Sequence, residues 1–152
     1  MANTQAMCTS FMGELLTGTH NFTPSTGDTF KAALYLTTAT QNASTTAYGV
    51  TGEVTGTGYS AGGVTVTNGV SPASTNTSAT AGVAYWTPSA SITYTSVTLS
   101  SAFDAVLIYN SSKSNKAVSV HTFGSQTVTA GTFTLTMPTN NTTNALLRLA
   151  TT

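Results

Sequence analysis

The sequence predicts an all-β fold: an antiparallel β-sandwich, jelly-roll or immunoglobulin-like, with one short N-terminal helix. Three observations predict it. Of the 152 residues 35 are Thr, a β-branched residue that fits a pleated strand better than a helix. Apolar residues alternate with Thr or Ser in short runs, and Gly, Asn, Ser and Pro punctuate the runs at the close spacing of a many-stranded domain. The length suits one domain, and no long internal repeat points to a solenoid or propeller.

Near the N-terminus, Cys8, Phe11, Met12, Leu15 and Leu16 share one helical face. The spacing predicts a helix over residues 9–17, stopped at Gly18. Gly13 inside it costs about 1 kcal/mol relative to Ala, so the helix needs a surface, either its own sandwich or a neighbouring subunit. Residues 1–22 are read as an N-terminal arm carrying this helix, and residues 23–152 as a single β-sandwich domain. The arm is expected to reach a partner and to be removable without unfolding the sandwich.

The first strand covers residues 29–38, with Phe30, Ala32, Leu34 and Leu36 on one face. A long Gly-rich loop follows over residues 39–63, then a short strand at 64–67 and an exposed loop at 68–80. Further strands are expected at 82–86, 91–99, 103–109, 116–123, 131–137 and 145–149. Phe133, Leu135 and Met137 alternate with Thr, which gives one core face and one hydroxyl face. Residues 105–109 are apolar throughout and read as a central strand covered on both sides. The stretch 110–115 is a polar hairpin loop, and 124–128 a short turn.

Charge excludes more than it identifies. Charged residues make up 5% of the chain, and the four cations, Lys31, Lys113, Lys116 and Arg148, are scattered. Nucleic acid would need a basic stripe to neutralise its phosphates, so none is expected as a partner. No apolar run approaches the length of a membrane-crossing helix, and no membrane partner is expected. The first residues lack the basic and apolar regions of a secretory signal, and one Cys cannot form an internal disulfide. Synthesis in a cytosol is the expectation. Strand edges are normally protected by charges, above all Lys. With almost none to place there, the chain is expected to be a homo-oligomer or to be covered by partner chains.

No residue pattern announces catalysis, a cofactor or a metal. Gly56, Gly58 and Gly62 lack the spacing, the Lys and the following helix of a phosphate loop. The carboxylates Glu14, Asp28, Glu53 and Asp104 sit in four separate segments, and an acid/base pair would require the fold to collect two of them. His20 and His121 have no Cys or acid at ligand spacing. Cys8 lies on the apolar face of the helix and reads as packed and inert. Asn-x-Ser/Thr sequons, including those at Asn21, Asn42 and Asn110, arise by chance in a chain so rich in Ser and Thr. Phe11, Met12, Leu15, Leu16 and Tyr59 are the residues expected to contact a partner.

Three blocks occur in order: residues 55–67 (TGTGYSAGGVTVT), 105–120 around AVLIYNSSKSNKAV, and 130–138 (AGTFTLTMP) leading to 144–149 (NALLRL). Together they resemble a family of small virion structural proteins encoded by tailed bacteriophages and prophages. The likeness runs from about Phe11 to Leu149. It implies a β-rich accessory protein of the particle, located in the virion, with no catalytic residues to transfer. The function expected from it is a capsid decoration or cement protein that binds the major capsid protein and stabilises its lattice. A tail, neck or fibre-base adaptor is the alternative, and a receptor- or glycan-binding module a second one.

Overall fold

Two long strands dominate the molecule, in a computed structural model that describes residues 2–75 and 82–151. In chain order the elements are β1 (Ala6–Met7), α1 (Thr9–Leu16), β2 (Phe30–Leu36), β3 (Val64–Thr65), β4 (Ala73–Ser74), β5 (Val83–Trp86), β6 (Ile92–Asn110), β7 (Lys116–Leu135) and β8 (Leu147–Ala150). They form a five-stranded sheet, β1-β7-β6-β2-β3, and a three-stranded sheet, β4-β5-β8. Every pairing is antiparallel. The fold is all-β and sandwich-like, with one short helix.

The central strand is where the sequence put it. Residues Ala105–Tyr109 of β6 are almost wholly buried and pair with β2 on one side and β7 on the other. One face of this sheet carries Phe30 and Ile108 and meets α1, the segment after it and the small sheet. Phe22 stacks on Phe30 at 4.3 Å between ring centroids, and Trp86 of β5 meets Phe22 edge-on at 4.8 Å. The other face carries Tyr35 and Tyr109, and the loop 37–63 covers it: Tyr48 stacks on Tyr109 at 4.6 Å. Both faces of a continuous apolar strand are thus dry, as such a strand requires.

The glycines of that loop serve close approach to the sheet. A Cβ on Gly63 would overlap the carbonyl of Ala32, and one on Gly58 would overlap that of Ser96. Both residues also take positive φ, +67° and +78°, where a side chain is strained. This accounts for the Gly-rich stretch without a ligand.

Four expectations are corrected. The strands expected at 91–99 and 103–109 are one strand, as are those at 116–123 and 131–137, so residues 124–128 are strand and not a turn. Register shifts absorb the breaks: β7 carries extra residues at 123–125 and 129–130, while β6 carries them at 95–96 and 100–102. Bulges of this kind bend a ribbon without ending it, and Ser96 and Ala130 take positive φ there. Within the expected loop 68–80, Ala73 and Ser74 pair with β5; residues 76–80 lie outside the described residues. The pairing of Ala6 and Met7 with β7 has no periodic signal in two residues.

The fourth correction concerns residues 1–22 as a separable arm. Cys8, Phe11 and Phe22 are core residues. The Asn3 side chain donates to the carbonyl of Leu36 at 2.9 Å and to Asp104 Oδ1 at 2.6 Å, and accepts from the Gln41 N–H at 2.9 Å. The helix lies on β7 of its own chain. A segment that supplies three core side chains and a sheet strand belongs to the domain.

Candidate functional site

The fold collects charge at one end. Glu14 of α1, His20 and Asp28 of the following segment, Asn110 at the end of β6, Lys113 of the hairpin loop and Lys116 of β7 form one chain of contacts. Lys116 Nζ donates to Glu14 Oε1 at 2.5 Å, and Glu14 Oε2 lies 2.7 Å from His20 Nε2. The Asn110 amide lies 3.0 Å from His20 Nδ1 and 2.8 Å from Asp28 Oδ2. Asp28 also accepts from the Asn21 N–H at 2.8 Å, with Lys113 at 3.7 Å.

Because the Asn110 amide nitrogen can only donate, His20 Nδ1 accepts and Nε2–H donates to Glu14. Both ring nitrogens are engaged, so neither remains to take a proton from a substrate. Burial opposes ionisation of Glu14, but hydrogen bonds from Lys116 and His20 and the charge of Lys116 outweigh it, holding the carboxyl below its usual range. Asp28 follows the same balance: burial raises it, while the Asn21 N–H, the Asn110 amide and Lys113 lower it further. The cluster is a clasp that ties α1 and the first loop to the β6/β7 hairpin. Asn110 is fully buried, so its sequon has no acceptor role in the folded chain.

A second polar centre holds the loop 37–63. Glu53 is buried and accepts from Tyr48 Oη at 2.7 Å, Tyr59 Oη at 2.7 Å and the Gly62 N–H at 2.8 Å. Burial and then hydrogen bonding to Glu53 push the Tyr48 and Tyr59 phenols well above the ordinary tyrosine range, keeping them protonated as donors. Tyr59 Oη also accepts from the Leu34 N–H at 3.0 Å, while Tyr94 Oη donates to the Ala32 carbonyl at 2.8 Å. Phenols therefore satisfy part of the β2 edge where β3 stops, as buried backbone groups require.

The expected contact residues are not brought together. Phe11 is buried, Met12 and Leu16 are exposed, Leu16 by 90%, and Leu15 is half-buried. Phe11 and Leu15 line an apolar groove of about 110 Å³ with Met7, Trp86 and Leu147. Tyr59 stands apart at the β2 edge and is committed to Glu53 and Leu34.

Other reactive groups are sequestered. Ser119 Oγ lies 2.9 Å from His121 Nε2, but Ser119 is 1% exposed and no carboxylate orients the ring among the described residues. Burial depresses the His121 pKa to about 4. It pushes the Cys8 thiol up to about 11, with the Glu14 charge adding to the effect. Among the described residues no group of three or more His, Cys, Asp or Glu is placed to hold a metal, and no helix is long and apolar enough to cross a membrane.

The most open feature is the far half of the β6/β7 ribbon. From Ile92 to Phe103 and from Thr122 to Leu135 there is no charged side chain. Beyond the two residues paired with β1 and a single bridge from Lys116 to Ala47, the outer edge of β7 makes no further strand pairing among the described residues. Phe123 and Phe133 lean inward on Phe103, at 6.0 and 5.0 Å, while Thr127, Thr129, Thr132 and Thr134 are exposed. Composition announced the missing edge charges; only the merging of two expected strands shows where the open edge lies. No family model, curated protein or solved structure matches this chain, so the class these features define is that of an all-β, sandwich-like domain with a neutral open ribbon.

Proposed function

We propose that this chain is an accessory structural protein of a tailed-bacteriophage virion, a decoration or cement protein that binds and stabilises the major capsid lattice. The observation that carries the reading is the long, uncharged ribbon with an open strand edge. Isolated proteins protect such an edge with charge or cover, whereas assembled proteins use it for permanent hydrogen-bonded contact. The resemblance of the three sequence blocks to small virion structural proteins of tailed phages supports the same reading. Many symmetric copies add through multivalency, so each contact can be weak. No turnover is expected, and attachment should depend little on salt because little charge is screened.

The glycan-binding alternative gains no support from the aromatic residues, since Trp86 is 3% exposed and the Tyr59 hydroxyl is already engaged. The neck or tail adaptor differs from the cement protein in copy number. Quantitative mass spectrometry of purified virions separates them. A ratio to the major capsid protein near one, or a simple fraction of it, supports cementing; a few per cent moves the chain to the neck or tail; absence from particles overturns the virion reading.

A further inference from the structure

Two apolar faces run out past their cover at the same place. In the small sheet the register sets Trp86 opposite Leu147 and Ala84 opposite Leu149, and the two-residue alternation of strands puts all four on one face. Trp86 and Leu147 are buried, whereas Leu149 is 43% exposed and Ala84 is exposed. On α1, Phe11 is buried and Leu15, one turn on, is half-buried. The apolar groove of about 110 Å³ lies where the two faces emerge. It is separate from the neutral ribbon, since none of its lining residues falls in 92–103 or 122–135.

The chemistry of the groove selects its occupant. No charged side chain lines it, and the indole N–H of Trp86 is already donated to Asn68 and the Val70 carbonyl. Arg148 stands between Leu147 and Leu149 and so belongs to the opposite face of the sheet. A dry apolar cavity of about 150 Å³ takes benzene, so this groove takes a single branched aliphatic side chain. The chain carries one beside it. Leu16 is the last residue of α1, next to Leu15 of the groove wall, and is 90% exposed.

A knob and a hole side by side on one face are what a two-fold contact needs, because each copy then fills the other. Charge permits the approach: the only charged residue of α1, Glu14, is engaged by Lys116 and His20, so neutral surface meets neutral surface. We infer that this chain self-associates through α1 and β8, with Leu16 of each copy seated in the groove of the other. A standard interface buries about 20–30 residues a side, and this apolar core is smaller. The dimer is therefore weak, and the dilute chain unfolds as a monomer.

The test uses the full chain. Sedimentation over a concentration series should show a reversible monomer–dimer equilibrium. Leu16→Asp brings a carboxylate to each apolar groove and should weaken dimerisation at least about a hundredfold, while unfolding in dilute solution stays unchanged. Ala84→Phe fills the groove from its exposed wall and should do the same. Mixed in equal amounts, the two variants regain one insertion, because Leu16 of the Ala84→Phe copy enters the open groove of the Leu16→Asp copy. The mixture should associate more tightly than either variant alone and less tightly than the unaltered chain.

A dimer indifferent to Leu16→Asp, or a mixture no tighter than its components, would overturn the inference. A monomer at every concentration would also overturn it and leave the groove to an aliphatic side chain of a different protein. Should Ala84→Phe fail to fold, Leu149→Asp at the exposed rim replaces it in the mixture. The inference does not rest on the virion reading, which copy number in particles tests by itself.

Discussion

The two ends of the β6/β7 hairpin are built from opposite chemistry. At the turn end, the buried Asn110 and the ion pairs of Lys113 and Lys116 with Asp28 and Glu14 join elements distant in sequence. At the far end, residues 92–103 and 122–135 carry no charge, and over 122–135 the outer edge of β7 has no strand partner among the described residues. Groups that must hold the chain together are polar, buried and satisfied within it. The ribbon left at the surface is neutral and hydroxyl-rich, with a strand edge that is unpaired among the described residues. The difference teaches that the few charges of this chain serve internal cohesion, while its open strand edge lacks the charged guard such edges usually carry.

The contrast can be broken by removing what joins the N-terminal segment to the sheet. Deleting residues 2–22 takes β1, α1, Phe11 and Phe22 from the core, and cooperative thermal unfolding followed by circular dichroism should be lost. A variant that still melts cooperatively would restore the separable arm. Within the helix, Phe11→Ala should cost about 3–5 kcal/mol in denaturant unfolding, while Leu16→Ser should stay within about 0.5 kcal/mol. Equal effects would mean that the exposed and buried residues of α1 are not distinct.

At the turn end, Asn110→Ala leaves the buried His20 Nδ1 without a donor and takes from Asp28 Oδ2 one of its two donors, the Asn21 N–H remaining, and should destabilise by about 2–3 kcal/mol. Thr132→Ala on the exposed ribbon should change stability by less than about 0.5 kcal/mol. Acid should act in two stages. His121 is neutral when folded down to about pH 4, whereas unfolded it takes a proton near pH 6.5. Stability therefore falls as pH drops from about 6.5 to 4, by on the order of 2 kcal/mol, and His121→Gln should flatten that stage.

Glu14 and Asp28 have lowered pKa values, so their contribution is present above the ordinary carboxylate range and is lost as pH falls below it. Asn110→Ala should shrink this lower stage alone. The smallest effect is at Lys113, whose side chain is 43% exposed and 3.7 Å from Asp28. Lys113→Ala should cost no more than about 0.5 kcal/mol, and less in high salt.

Legibility followed the period of the pattern. The helix, β2, β5, the central run 105–109 and the hairpin loop could be read because burial imposes a regular spacing on each. The continuity of β6 and β7 could not be read, because bulges at 95–96, 100–102, 123–125 and 129–130 break the two-residue period without breaking the strand. The clasp was hidden for another reason: Glu14, His20, Asp28 and Asn110 share no local spacing, and only the docking of α1 on β7 brings them within hydrogen-bonding reach. Glu53 and its tyrosines were equally silent, since nothing in a loop sequence shows that it will lie against the sheet.

The sequence alone determined the all-β character, the apolar central strand and the lack of charge to guard strand edges, because composition and alternation act through local backbone preference and burial. Tertiary structure decided that the N-terminal segment is part of the core, that the charges converge at one end, and that the neutral surface becomes a ribbon with an open edge. These depend on which segments meet across long stretches of chain, and contact between distant residues leaves no periodic trace in the order of the residues.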